Sequence, residues 1–345
     1  MRCLHRTRSA SNEGVGITVV EPAEQFVGAI DLGGTNVRAA IIEAGGQIRA
    51  RARRPTPQTG PEDVVQAMVE ALQQAAEEAG VSVDRLVAVG VGAPGPLDHS
   101  TGVVYAPPNL AGWDNVPLKQ MLQDRLRRPV FVGNDANVAA LAERRYGAGK
   151  GSDDVIYITV STGIGGGIVT QGRLLLGPAG TAGEVGHITI DIHGPRCACG
   201  NIGCVEALAS GPAIARQAQA RLRAGQPSML RELVSSLEDI TAEHVVEAAR
   251  RGDPLAATVM EEAACNIGVL VVNLIHLFNP AVIAIGGGVS NAGELLFGPI
   301  RQVVQERALK AAAAVCRIVP AALGDDVGLY GAAAWALDQA GLSAG

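Results

Sequence analysis

Apolar positions in this chain fall into short, β-branched blocks closed by glycine, alternating with longer stretches of helical period. Phe26 to Asp31 is a block of strand length; Leu32-Gly33-Gly34-Thr35-Asn36 follows, and Val37 to Ile42 predicts a second strand. Glu43-Ala44-Gly45-Gly46 signals a turn, and Gln47 to Arg53 predicts a third strand. The design returns at Val155 to Ser161. There Thr162-Gly163-Ile164-Gly165-Gly166 reads as the turn and Gly167 to Thr170 as the returning strand, and past Gln171-Gly172, Arg173 to Leu176 reads as the third. Two copies of strand, glycine turn, strand, turn, strand predict a duplicated lobe.

Between and beyond the copies, helical and strand patterns alternate. Pro61 to Ala79 has helical spacing, with Pro61 early, acids in its first turn and Gly80 just past its end. Leu86 to Gly92 predicts a strand, Val116 to Leu126 a helix, Val130 to Gly133 a strand and Asp135 to Tyr146 a helix. Further helices are expected over Val205 to Arg223, Ala242 to Arg250 and Pro254 to Phe278, before a strand at Val282 to Ile285 that runs into Gly286-Gly287-Gly288. Such alternation predicts an α/β protein with mainly parallel sheets wrapped by helices. Ligands then bind beyond the strand carboxyl ends, where these glycine turns fall.

Composition narrows the class. With 345 residues, 48% hydrophobic and 18% charged, the chain is globular and long enough for two lobes. A net charge of -6 argues against nucleic acid as the main partner. Three of the six cysteines crowd together at Cys197, Cys199 and Cys204 while Cys3, Cys265 and Cys316 are scattered, which is not a disulfide framework and fits a reducing, cytoplasmic setting. The apolar run Ile267 to Phe278 carries Asn273 and His276 and reads as part of a buried helix, so no membrane partner is expected. Residues 1–25 hold several arginines but no apolar block fit for a secretory signal, and are expected to form a disordered extension.

Candidate chemistry gathers at the glycine turns. Gly33, Gly34 and Thr35 can present backbone N–H groups and a hydroxyl to a phosphate, and Asp31 at the strand end can hold magnesium through water. Thr162 and Gly163 offer a second such turn, and two turns can grip one polyphosphate from opposite lobes. Gly90-Val91-Gly92-Ala93-Pro94-Gly95 imitates a dinucleotide fingerprint, but Pro94 and Pro96 stand where that motif needs a helix to begin. Gly147-Ala148-Gly149-Lys150 fails as a phosphate loop because Arg144 occupies the position of the leading glycine, and it reads as an interlobe loop. Cys197-x-Cys199-x4-Cys204 folds three thiolates around one point, a zinc-like set whose fourth ligand can be His187 or His193. Asp135, in Gly133-Asn134-Asp135-Ala136-Asn137, follows a strand and opens a helix; it can cap that helix and can also act as a general base. Glu184 and His187 in Gly183-Glu184-Val185-Gly186-His187, with Glu206 beyond the last cysteine, are acceptors suited to sugar hydroxyls.

From about Phe26 to Ala340 the chain resembles the ROK family of repressors, open reading frames and sugar kinases, and within it the bacterial glucokinases. The resemblance is carried by Gly183-Glu184-Val185-Gly186-His187 followed by Cys197-Ala198-Cys199-Gly200-Asn201-Ile202-Gly203-Cys204-Val205-Glu206. It implies an actin-like, hexokinase-type two-lobed ATPase fold with a duplicated β-sheet core: a small lobe over 26–134 plus 329–345, and a large lobe over 135–328 that carries the zinc segment. It also implies His187 as the fourth zinc ligand, Asp135 as catalytic base, and Gly95, Asn109, Asn134, Glu184, His187 and Glu206 as sugar contacts. Gly33 to Thr35 and Thr162-Gly163 match phosphate contacts, and Gly286 to Gly288 a stretch near the nucleoside.

The implied activity is ATP- and Mg2+-dependent phosphorylation of the 6-hydroxyl of glucose, with a structural Zn2+, in a homodimer or homotetramer. Fructose, N-acetylmannosamine and N-acetylglucosamine are the alternative acceptors. Ala106-Pro107-Pro108-Asn109-Leu110 running into Gly112-Trp113 resembles the glucokinases and favours glucose. A sugar-responsive regulator of the same family is disfavoured, because the stretch ahead of Phe26 is too short for a helix-turn-helix domain.

Overall fold

The computed structural model describes residues 25–107 and 109–342. The expected extension over residues 1–25 lies outside the described residues apart from Gln25. The first sheet is built from β1 (Phe26–Leu32), β2 (Asn36–Glu43), β3 (Ile48–Pro55), β4 (Leu86–Ala93) and β7 (Val130–Asn134), in the order β3-β2-β1-β4-β7. A short β5 (Leu97–Asp98) and β6 (Val103–Val104) pair beside it. The second sheet has β8 (Val155–Val160), β9 (Ile164–Thr170), β10 (Arg173–Leu174), β11 (Val282–Gly286) and β12 (Arg317–Pro320), in the order β10-β9-β8-β11-β12.

In both sheets the first strand pairs antiparallel with the second and parallel with the fourth. The inferred duplication therefore extends to strand order and direction. The expectation of mainly parallel sheets is corrected: each sheet combines two antiparallel pairings with two parallel ones. The hairpins that carry the glycine turns supply the antiparallel half.

Local chemistry accounts for the helices. In α1 (Pro61–Ala79), proline sits in the first turn with Glu62 and Asp63, and Gly80 closes the far end at φ 67°, donating its N–H to Ala76 and Glu77. Val64, Met68, Leu72 and Ala75 form its buried stripe. After α2 (Leu118–Leu126) and α3 (Asp135–Tyr146), the expected helix over Val205 to Arg223 is two helices, α4 (Val205–Ala209) and α5 (Gly211–Arg223). Pro212 has no N–H to continue the ladder, and the Ser210 hydroxyl caps the new start by accepting from Ala213 N at 3.4 Å. The chain then runs through α6 (Leu230–Leu233), α7 (Ala242–Arg250), α8 (Pro254–Phe278), α9 (Glu294–Arg307), α10 (Lys310–Ala313) and α11 (Val327–Gln339). By length and composition α8 is apolar enough to cross a bilayer. Here Val259, Met260, Ile267, Leu270, Val271 and Leu274 pack into the largest core cluster, against the second sheet and α9.

The centre of the molecule is layered. Leu329, Ala332, Ala333 and Ala336 of α11 cover Val27, Ala29, Ala40 and Ala88 of the first sheet. Val138, Ala139 and Leu141 of α3 pack with Tyr157, Val169 and Ala284 of the second, and meet Ala334 and Trp335 of α11. So α3 and α11 lie back to back between the sheets, and α3 itself makes the crossing. The Gly147–Lys150 loop joins α3 to β8. The motif opening at Gly90 is strand as far as Ala93 and no helix begins at Pro94, as the rejection of a dinucleotide fingerprint requires. The missing side chain of Gly90 is explained by α11: a Cβ there would overlap the carbonyl oxygen of Ala332.

Gly90→Ala is therefore expected to push α11 off β4 and to destabilise the fold by about 1–3 kcal/mol. Urea unfolding monitored by circular dichroism measures this; a midpoint equal to the wild type would show that the layer tolerates the methyl group.

Candidate active site

Asp135 is the first residue of α3, directly after β7. The sequence allowed it to cap that helix, but the cap is Asn134. The Asn134 Oδ1 accepts from Ala136 N at 3.1 Å and Asn137 N at 3.2 Å, while Asp135 Oδ1 takes only Ala136 N, at 2.7 Å. Asp135 is exposed to solvent at the head of α3, while many protein atoms crowd around its carboxyl group. That loss of bulk hydration raises its pKa to about 6; Asp31 and Glu184 add to the rise by repulsion, and the Ala136 N–H opposes it.

Asp31 sits at the end of β1, opposite Arg38 in the antiparallel register, and Arg38 donates to its Oδ2 from Nε at 2.9 Å and from Nη2. Sequence reasoning missed this pairing, although a lone cation within an apolar strand was a signal. In the turn beyond it, the Gly33 N–H closes the hairpin onto Asn36 O at 3.0 Å and is not free for a phosphate. The N–H groups of Gly34 and Thr35 have no acceptor among the described residues. Asn109 lies against this turn, its carbonyl oxygen 2.9 Å from where a Gly34 Cβ would stand, and Gly95 likewise faces the Asn134 amide.

The second turn is tighter than its sequence suggested. Gly165 and Gly166 belong to β9, and the turn itself is Ser161 to Gly163, closed by Ser161 N donating to Gly163 O at 2.8 Å. Ser161 and Thr162 form one lip of a pocket of ≈ 690 Å³, with Gly288 on another and Ile240, Val246, Val289 and Ala292 as apolar wall. That is the size and lining of a small-molecule site. Gly286 is buried at the end of β11 against Tyr157 and Ala321, and Gly287, at φ 84°, turns the chain, so Gly288 alone of the three lines the pocket. The wall residues, together with Arg216, Gln219 and Arg250, went unnoticed in the sequence because they come from distant segments with no shared motif.

On the other flank of β9 lies the 3-10 turn Val185–His187, with Glu184 exposed at its head. Gly186 is packed so closely that a Cβ would overlap the carbonyl oxygen of Ile164. His187 then meets Cys197, Cys199 and Cys204: the four ligand atoms lie within 4.8 Å of one another, with Cys197 Sγ 3.8 Å from His187 Nδ1 and Cys199 Sγ 3.7 Å from Cys204 Sγ. A tetrahedral zinc with Zn–S bonds of about 2.3 Å sets its sulfurs roughly 3.8 Å apart, so this donor set fits a zinc-sized ion. His193 is outside the cluster, its N–H turned to Asp191 Oδ1 at 2.9 Å. Burial pushes the Cys204 thiol up to about 12, whereas the Asn201 N–H lowers the exposed Cys199. Glu206, in the first turn of α4, bridges the two features, its Oε2 accepting from Ile164 N at 3.0 Å.

The ROK family model matches residues 27–339. A glucokinase of Thermotoga maritima is 37% identical over 90% of this chain and 97% of its own. Among solved structures, a ROK family glucokinase from Streptomyces griseus in complex with glucose and AMPPNP is 39% identical, covers 91% of this chain and 99% of its own, and superposes with a TM-score of 0.76. A ROK family transcriptional regulator, a homologue of the Escherichia coli MLC protein, is 31% identical over 93% of this chain and 80% of its own, at a TM-score of 0.82.

Because the folded-state pKa of Asp135 is raised, its ionised form is disfavoured by folding; the resulting destabilisation grows as pH rises from about 4 to 6 and persists above. Asp135→Asn, which keeps the oxygen facing Ala136, is expected to melt at a higher temperature than the wild type at pH 7.5, the gap closing as pH falls toward 4. Melting temperatures across that range test it; a variant less stable at pH 7.5 would refute the assignment of strain to this carboxylate.

Proposed function

The chain belongs to the ROK family, and on that footing we propose that it is an ATP-dependent hexose kinase that transfers the γ-phosphoryl group of ATP to the 6-hydroxyl of glucose. The observation that carries this reading is the seat of Asp135. A water-accessible carboxylate with a pKa of about 6 stands at the start of α3, beside the strand end at Asp31 and the acceptor Glu184. At neutral pH it is ionised, yet basic enough to take a proton from an alcohol in the transition state.

In the reaction the 6-oxygen attacks the γ-phosphorus, its proton passes to the Asp135 carboxylate, the bond to the bridging oxygen breaks, and ADP leaves. Thr162 and Gly163 hold the phosphates from one side, and the free N–H groups of Gly34 and Thr35 from the other. Gly288 and the apolar wall take the nucleoside. Asp31 would hold Mg2+ through water, which would supply charge neutralisation on the transferring phosphates. Gly95, Asn109, Asn134, Glu184, His187 and Glu206 surround the sugar. Closure of a lobe formed by 26–134 with 329–345 onto a lobe formed by 135–328 would exclude water and align the reactants.

His187 and the three cysteines would hold zinc. With all four positions filled by protein the ion would be a brace without an open coordination site. Because His187 Nδ1 faces Cys197, its Nε2 is left for a sugar hydroxyl, and a bound metal would fix the ring's orientation.

Asp135→Ala is expected to lose about 100- to 10,000-fold in turnover while still binding glucose, as read by ADP release and by calorimetry. A near-normal rate would remove Asp135 from the role of base. Cys199→Ser is expected to purify without zinc and to bind glucose more weakly; wild-type metal content and affinity together would refute the brace.

A further inference from the structure

Glu206 has a second task that sugar binding does not explain. Its Oε2 is committed to the N–H of Ile164, at 3.0 Å, and that residue follows Gly163 in the tight turn. Its Oε1 lies 3.8 Å from Cys197 Sγ, and the helix that carries it starts directly after Cys204. The same segment reaches the turn again at its other end: Ser210 N donates to Glu206 O at 3.1 Å, and Gly211 N to Ser161 O at 2.8 Å. The turn is thus clipped at Ser161 and at Ile164 by one short stretch of chain anchored in the Cys/His cluster. Its opposite side, Ser161 and Thr162, is the lip of the ≈ 690 Å³ pocket. Gly163 leaves room for the carboxylate, since a Cβ there would stand 2.6 Å from Glu206 Oε2.

We propose that Glu206 is a positioning residue that holds the Ser161–Ile164 turn in its nucleotide-gripping shape, so that the Cys/His cluster supports nucleotide affinity as well as the sugar pocket. The physical basis is a side-chain oxygen accepting from a backbone N–H, which fixes direction as well as distance. The proposal rests on the reading of Thr162 and Gly163 as phosphate contacts.

The test is calorimetric binding of MgADP to the full chain without sugar, where a residue that touches only sugar has no effect. Glu206→Ala, with its metal retained, is expected to bind MgADP at least about 5-fold more weakly. Glu206→Gln keeps an oxygen for the Ile164 N–H and is expected to stay within about twofold of the wild type. Gly163→Ala displaces the carboxylate from the turn's side and is expected to match Glu206→Ala, with the double variant no weaker than Gly163→Ala alone. Stripping zinc with 1,10-phenanthroline should weaken MgADP binding to the wild type and leave Glu206→Ala unchanged.

Wild-type MgADP affinity in Glu206→Ala, or an equal loss in Glu206→Gln, would overturn the proposal. Should Glu206→Ala fail to fold, Glu206→Asp, whose side chain is one methylene too short to reach the Ile164 N–H, takes its place under the same criteria. Turnover of glucose is read separately. If the wild type phosphorylates glucose while MgADP binding ignores Glu206, the linkage alone fails; if MgADP binding answers to Glu206 without glucose turnover, the kinase reading alone fails.

Discussion

The backbone of β9 is approached from both faces more closely than side chains allow, and the arrangement of the site depends on that crowding. On one face Gly186 brings the Glu184–His187 turn onto the Ile164 carbonyl. On the other, Gly167 lets α3 descend until the Ala136 carbonyl stands 2.7 Å from the space its Cβ would fill. Because residues alternate sides along a strand, one glycine-rich strand can serve two neighbours. The start of α3, with Asp135, is thereby held beside the tight turn, and the Cys/His segment is held behind it. Added methyl groups here would move reacting parts relative to one another, not merely loosen a core.

Charge is distributed around that frame with a clear division of labour. Asn134 satisfies the open N–H groups of α3, so the Asp135 carboxylate is not fully occupied in capping. Arg38 matches Asp31 across β1 and β2, which limits the negative charge crowded near Asp135. Lost hydration, with the repulsion that remains, pushes the Asp135 carboxyl up to about 6. A group tuned this way is ionised in neutral solution and still a better base than an ordinary surface aspartate.

Much of the fold was legible because the relevant signals are local. Phe26 to Asp31 and Val155 to Ser161 have strand length and composition, and glycine turns follow both, so the duplication could be read directly. Other elements were not legible for stated reasons. Helix α11, Val327–Gln339, has apolar residues on most of its surface because it is covered by the first sheet on one side and α3 on the other, and thus has no amphipathic stripe to find. Gly165 and Gly166 looked like turn residues, whereas their glycine identity answers to neighbours packed on a strand. The walls of the nucleotide-sized pocket come from α5, α7 and the segment after β11, and no one of these carries a recognisable motif.

The Cys/His quartet marks the boundary between the two kinds of information. Three cysteines within one short loop converge whatever the rest of the chain does, because the tight turns at Gly200 and Gly203 bring them round, so sequence alone determined that part. Spacing left His187 and His193 equal. Tertiary structure separated them: His187 follows a glycine seated against β9, which turns its ring toward Cys197, while His193 lies in a loop tied to Asp191. Contacts within a turn are set by the residues of that turn. Contacts between a turn and a distant strand exist only once the sheet has paired, and it was these that decided which histidine, which glycine and which carboxylate face the site.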